Sequence, residues 1–243
     1  MTEQHKQGRL NPLGQPIGEP LSDWTAPAPP ARTLLTGRFC QLEPLQSRHA
    51  DDLFAANSQD TDGRSWTYMP YGPFASAADY RRWVEASSQG CDPQFYAIVQ
   101  PSDGRALGVA SYLRITPRSG AIEVGHIHYS AQLQRQSAAT EAMYLLMRHA
   151  FELGYRRYEW KCDALNALSR AAAQRLGFAY EGTFRQATVY KGRNRDTAWY
   201  SVIDSEWPLL RRCFEQWLAP ENFDAAGRQR HGLSELTRGF RAG

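Results

Sequence analysis

Glu123, His126 and His128 lie close together on a segment, Ile122 to Tyr129, whose β-branched and aromatic residues predict a strand. A carboxylate and two imidazoles are side chains suited to accept or deliver a proton near neutral pH. Strand alternation puts Gly125, Ile127 and Tyr129 on the side of Glu123, and both histidines on the opposite face. Two ordinary roles stay open: a rim carboxylate in an ion pair, and histidines hydrogen-bonded in the core or at an edge. The His-x-His spacing would also suit a metal pair, but no third ligand is indicated and no metal is expected.

Directly downstream, Gln134-Arg135-Gln136-Ser137-Ala138-Ala139-Thr140 leads into a helix whose first turn carries only small side chains. A helix start leaves backbone N–H groups unpaired, and small residues let an anion such as a pyrophosphate approach them. Close packing of helix on strand would select the same residues. Further on, Asn166 and Ser169 occupy N-cap and first-turn positions of another predicted helix.

The elements that must position these residues are legible by period. Short strands are expected near 39–42, 95–99, 107–115 and 122–129, the last three forming an antiparallel meander with turns at Asp103-Gly104 and Ser119-Gly120. Helices are expected at 48–56 and 78–88. Between them lies a loop dense in aromatics, with Trp66, Tyr68, Met69 and Tyr71, suited to fold onto the core or to wall a pocket. Ala139, Ala142, Met143, Leu146, Met147, Ala150 and Phe151 share one helical face, with Gly154 as stop. A strand at 158–162, a helix ending at Gly177, extended segments at 182–190 and 198–203 and a helix at 209–218 complete the pattern. The fold class is α/β (α+β), a central mixed, mostly antiparallel twisted sheet flanked by helices, with ligands expected at the carboxyl ends of diverging strands.

The segment from Gln134 to Ala139 resembles the acyl-CoA-binding signature Gln/Arg-x-x-Gly-x-Gly/Ala of the GNAT superfamily of N-acetyltransferases, with Ser137 where the central glycine usually stands. Asn166-x-x-Ser169 and Leu176-Gly177-Phe178 resemble its second block, and Thr140-Glu141-Ala142, Glu181-Gly182 and Phe184-Arg185 are most similar to the RimJ/RimL type, which acetylates ribosomal-protein N-termini. The resemblance covers roughly residues 34–207. It implies a GNAT fold and acetyl-CoA as donor, its pyrophosphate held by the amides of Gln134, Arg135, Gln136, Ser137, Ala138, Ala139 and Thr140. It also implies a base at Glu123, with His126 and His128 as second choices, a role near the thiol for Ser169, and a pantetheine contact for Asn166. The acid that relatives carry as a tyrosine is excluded here, because that position is Ala173. Acceptor selection is expected from Trp66, Tyr68, Met69, Tyr71, Arg185 and the run Lys191 to Asp196.

Composition narrows the rest. Lys and Arg total 28 against 25 Asp and Glu, a net charge of +3, too small to advertise nucleic-acid binding. No apolar run approaches the ~20 residues of a membrane span, and residues 1–33, rich in proline and polar, form an arm unlike a signal peptide. The four cysteines are at least fifty residues apart, which fits a reducing compartment, and the reading is cytoplasmic. Residues 34–219 form one domain and 220–243 a polar tail expected to be loosely held. A homodimer is one option, through Trp207, Leu210, Phe214 and Trp217. The expected activity is acetyl transfer to the amine of a protein N-terminus, peptide or aminoacylated or peptide-like small molecule. The alternative is a non-catalytic acyl-CoA sensor.

Overall fold

The alternating runs in the middle of the chain pair side by side and bury one face under each of two helical layers. A computed structural model describes residues 9–241; the first eight residues of the arm and the last two of the tail lie outside them. A small hairpin, β1 (Arg9–Leu10) and β2 (Pro16–Ile17), opens the described chain. β3 (Leu35–Thr36), β4 (Gln41–Pro44), α1 (Ala50–Asn57) and α2 (Ala77–Gln89) precede the meander β5 (Gln94–Val99), β6 (Ala106–Thr116) and β7 (Ala121–Tyr129). α3 (Ser137–Glu152) crosses to β8 (Arg157–Asp163), and α4 (Ala167–Arg175) leads to the hairpin β9 (Ala179–Tyr190) and β10 (Arg193–Ile203). α5 (Trp207–Leu218) and α6 (Leu233–Arg241) close the chain.

The large sheet runs β3-β4-β5-β6-β7-β8-β10-β9, and β7 with β8 is its one parallel pair among the described residues. Tyr96, Ile98, Tyr112, Ile122 and Val124 face α3 and α5, whose Met143, Leu146, Met147 and Phe214 complete the larger core. Phe95, Ala97 and Val109 face α1 and α2, packing with Leu53, Tyr80, Val84 and Trp66. The sheet class read from the sequence is what is observed.

Both ends of the described chain are held against the domain, which corrects the expectation of a loose tail. The arm, rich in proline, forms a short ladder, and its later part is docked: Trp24 lies under the Arg156 guanidinium at 5.7 Å, and Arg32 donates to the carbonyls of Ser88 and Gly90. The segment after Pro220 is not loose either. Asn222 donates to the Trp217 carbonyl at 2.8 Å and accepts from the His231 N–H at 2.9 Å, while Leu233 and Thr237 are buried. Its few apolar residues meet a surface that α4 and α5 supply, which composition alone does not reveal.

One buried carboxylate ties the sheet edge to α3. Glu141 accepts from the N–H groups of Arg38, Phe39 and Cys40 at 2.8, 2.6 and 2.9 Å, so its charge is met by three peptide donors. Gly37 makes room, since a Cβ there would fall on that carboxylate. Glu141→Ala would strand those donors and is expected to destabilise the protein by about 3 kcal/mol, on the order of one for each N–H left unmet. A thermal melt should show a fall of roughly 10 °C; an unchanged melt would deny the strap its role.

Candidate active site

β7 and β8 pair only from Ala121 to Val124 against Arg157 to Trp160 and then part. Parallel strands that separate leave peptide groups and side chains facing an open wedge. This wedge holds a cleft of about 350 Å³ walled by Glu123, Gly125, His126 and Ile127 from β7 and by Trp160, Lys161, Cys162 and Asp163 from β8. Asn166 and Ser169 approach from α4, Tyr68, Met69 and Pro70 from the aromatic loop, and Tyr190 and Arg195 from the β9–β10 hairpin.

The two faces of β7 are not those of an unbroken strand. Ser111 of β6 opposes Gly125 and Val109 opposes His128, so two residues of β7 face one of β6, and His126 takes φ +50°. Such a bulge resets the alternation. The expectation that both histidines lie opposite Glu123 is therefore wrong. His126 joins Glu123 in the cleft wall, while Tyr129 turns to the α3 side and donates from its hydroxyl to the Ala139 carbonyl at 3.3 Å.

Glu123 is 3% exposed and bridged by Arg114 Nη1 at 2.7 Å and Lys161 Nζ at 2.8 Å. Lys161, itself buried, also meets Glu159 at 2.7 Å and lies 3.8 Å above the Trp199 ring. Arg157 continues the chain of charges to Glu159 and Glu181. Burial raises the pKa of Glu123 above the usual carboxylate value, and the two cations only partly pull it back. The His126 ring sits between Tyr71 and Phe95; burial first, then the charges of Arg114 and Arg195, push its pKa down to about 4. His128 stands behind this wall, stacked 3.7 Å from Trp66 with Nε2 2.9 Å from Ser65 Oγ, and burial pushes it to about 4 as well. Both imidazoles are neutral at pH 7.

On α4, the Asn166 side chain accepts from the Ser169 N–H at 3.1 Å and so caps the helix. Ser169 Oγ accepts from Trp160 Nε1 at 3.0 Å, which engages a lone pair and leaves its O–H free to donate. Ala173 is fully buried, in keeping with the lack of room for a tyrosine there.

Beyond the cleft, α3 begins at Ser137 after an extended Gln136 that makes no side-chain cap. Arg135 takes φ +62°, and Gln134 donates back to the Tyr129 carbonyl at 3.0 Å. Arg175 donates to Thr140 Oγ1 and lies over Trp217, without a carboxylate partner among the described residues. A hollow of about 230 Å³ separates Arg135, Ser137 and Arg175 from the segment 229–234, with Gln229 Nε2 3.4 Å from Ser137 Oγ. These groups can receive an anion.

Residues 40–179 match the family model described as acetyltransferase (GNAT) domain. The chain belongs to the GNAT acetyltransferase family. A solved GCN5-related N-acetyltransferase from Brucella melitensis is 45% identical, superposes with a TM-score of 0.87, and is covered over 90% of this chain and 100% of its own. YdaF of Bacillus subtilis, provisionally named a ribosomal N-acetyltransferase, is 26% identical over 169 residues, 68% of this chain and 90% of YdaF. The ribosomal-protein-serine acetyltransferase of Escherichia coli is 32% identical over 102 residues, 41% of this chain and 56% of that protein.

In this GNAT acetyltransferase the residues expected to select an acceptor divide. Tyr68 lines the cleft and donates to the Leu165 carbonyl at 3.2 Å. Trp66 is core under His128, and Tyr71 backs His126 from behind. Arg185 and Asp196 border a separate hollow with Phe184 and Gln186, next to the point where the β9–β10 pairing shifts register between Arg195 and Thr197. Of the run Lys191 to Asp196, Arg195 lines the cleft. Sequence reasoning passed over Arg114, Lys161, Asp163 and Tyr190. For β8 a signal existed: Arg157, Glu159, Lys161 and Asp163 alternate with Tyr158, Trp160 and Cys162, a charged stripe on one strand face.

Lys161→Met would leave Glu123 and Glu159 facing each other, raising the folded-state pKa of Glu123 further. A carboxyl whose folded pKa exceeds its unfolded one favours the fold only while protonated, so the stability penalty must grow as pH rises. The expected cost is about 3 kcal/mol at pH 8 and clearly less at pH 5, as read by urea denaturation. Equal losses at both pH values would remove Glu123 from the explanation.

Proposed function

We propose that this GNAT acetyltransferase moves the acetyl group of acetyl-CoA to a primary amine, either the α-amine of a protein or peptide N-terminus or that of an aminoacylated or peptide-like small molecule. The observation that carries the reading is the junction of a buried, cation-bridged carboxylate, Glu123, with the point where β7 and β8 part, across the cleft from Ser169.

The residues fit the donor. The uncapped start of α3, with Arg135 and Arg175 beside it, suits a pyrophosphate, and the β7 edge beyond Val124 offers peptide groups to an extended pantetheine chain. Ser137 narrows the approach that glycine would give, but its hydroxyl is itself a donor. When bound, acetyl-CoA supplies the activated acyl thioester.

The chain's own groups handle position and protons. Asn166 and Ser169 flank the thiol end, and the free O–H of Ser169 delivers a hydrogen bond to the departing sulfur. Glu123, bridged by two cations yet biased toward protonation by burial, takes the proton of the entering amine through water. His126, neutral and on the same wall, is a second acceptor along that path. His128 has no part in it, being stacked behind the wall. The ribosomal acceptors in the names of two relatives support an N-terminal amine, and the cytoplasm as the place of action.

Purified protein incubated with acetyl-CoA and a panel of peptides should yield free thiol and acceptors one acetyl group heavier. Glu123→Gln is expected to lower kcat by roughly 10²- to 10⁴-fold with acetyl-CoA affinity little altered in calorimetry. The acidic limb of kcat/KM set by Glu123 should vanish, leaving the limb set by the acceptor's own amine. A chain that binds acetyl-CoA but transfers nothing to any amine would be a sensor instead.

A further inference from the structure

Among the charged side chains that line the cleft, all but two close on one another. Arg114, Lys161 and Arg157 are matched by Glu123, Glu159 and Glu181 in one connected network. Lys191 and Arg193, at the tip of the β9–β10 hairpin, donate to the carbonyls of Trp66 and Thr67, both at 2.8 Å, and so pin the hairpin across the aromatic loop. Those acceptors are neutral, and the mouth of the cleft stays positive.

Beneath this roof Arg195 and Asp163 remain. Arg195 Nε donates to Thr197 Oγ1 at 3.1 Å and its guanidinium lies 5.8 Å from the Tyr190 ring, with no carboxylate in ion-pair reach among the described residues. It lines the same cleft as His126 of β7 and Cys162 of β8. Asp163 is buried and accepts from the Leu165 N–H and the Tyr190 hydroxyl, both at 2.8 Å, donors that leave its charge unneutralised. One unmatched cation and one unmatched anion facing a single cleft complement a ligand carrying both an ammonium and a carboxylate. A guanidinium fork held by a neighbouring hydroxyl is suited to a planar carboxylate.

We propose that Arg195 is a specificity-determining residue that selects amine acceptors bearing a carboxylate close to the amine. The inference rests on the transferase reading above and names the acceptor class for that site. The carboxylate comes from an acidic first side chain of a peptide or from the α-carboxylate of a free amino acid. Arg185, on the separate hollow, has no share in it.

The test is steady-state acetylation of matched peptides beginning with Asp, Glu, Asn, Gln or Ser, alongside free aspartate and glutamate. In the wild type, kcat/KM should favour the acidic member of each pair by about tenfold or more, mainly through KM. Arg195→Gln should bring that ratio toward one, Arg195→Lys should restore part of it, and Arg195→Glu should invert it toward peptides beginning with Lys. A preference confined to acid-first peptides assigns the carboxylate to the side chain; one shared by free amino acids assigns it to the α-position. Equal transfer to acidic and neutral peptides by the wild type, or equal losses for both in Arg195→Gln, overturns the role of Arg195 and leaves the transferase reading standing. Absence of transfer to every acceptor overturns both.

Discussion

The structure turns on the early parting of two parallel strands. β7 and β8 share four paired positions and no more, so the centre of an otherwise continuous sheet opens where a closed one would be filled by side chains. A sheet opened there must solve two problems: peptide groups lose partners, and polar side chains are exposed to a narrow, poorly hydrated space. The bulge at His126 addresses the first by turning β7 as pairing with β8 ends, while β6 keeps its hydrogen bonds on the other edge. The alternating charges of Arg157, Glu159 and Lys161 address the second.

That second solution sets the electrostatics. A buried carboxylate with no counter-charge would be protonated, and one among cations in water would be an ordinary acid. Glu123 lies between these limits: desolvation outweighs the combined pull of Lys161 and Arg114, and the carboxyl is held above its usual range with both cations in contact. The neighbouring imidazoles are shifted in the opposite sense by the same burial. The cleft wall thus holds a carboxyl and an imidazole that burial biases, in opposite pKa directions, toward their neutral forms.

Much of this was legible in the sequence, and what was missed has identifiable causes. Strands and helices followed from period, since each buries a whole face and the pattern extends over many residues. Glu123, Asn166 and Ser169, singled out by motif and spacing, line one cleft. The histidines were misassigned because a bulge is a single-residue event without a compositional mark, and it inverts every face beyond it. Arg185 and Asp196 lie on a hollow apart from that cleft, beside a register shift in β10 that has no compositional mark either. Lys161 was readable from alternation, yet a lysine in a strand suggests an exposed face, and only its two carboxylate partners make burial tolerable. The packed C-terminal segment was hidden because its anchoring depends on a surface built by distant residues.

The strap formed by Glu141 bears on how such a protein can change over time. Its contacts go to main-chain N–H groups, so the identities of Arg38, Phe39 and Cys40 matter little to the bond itself. Gly37 is different, because any larger residue occupies the carboxylate's place. Gly37 and Glu141, far apart in the chain, therefore form one inherited unit. Arg38, Phe39 and Cys40 can drift without touching the strap, and a lineage that has replaced Gly37 by a larger residue should have lost the Glu141 carboxylate as well.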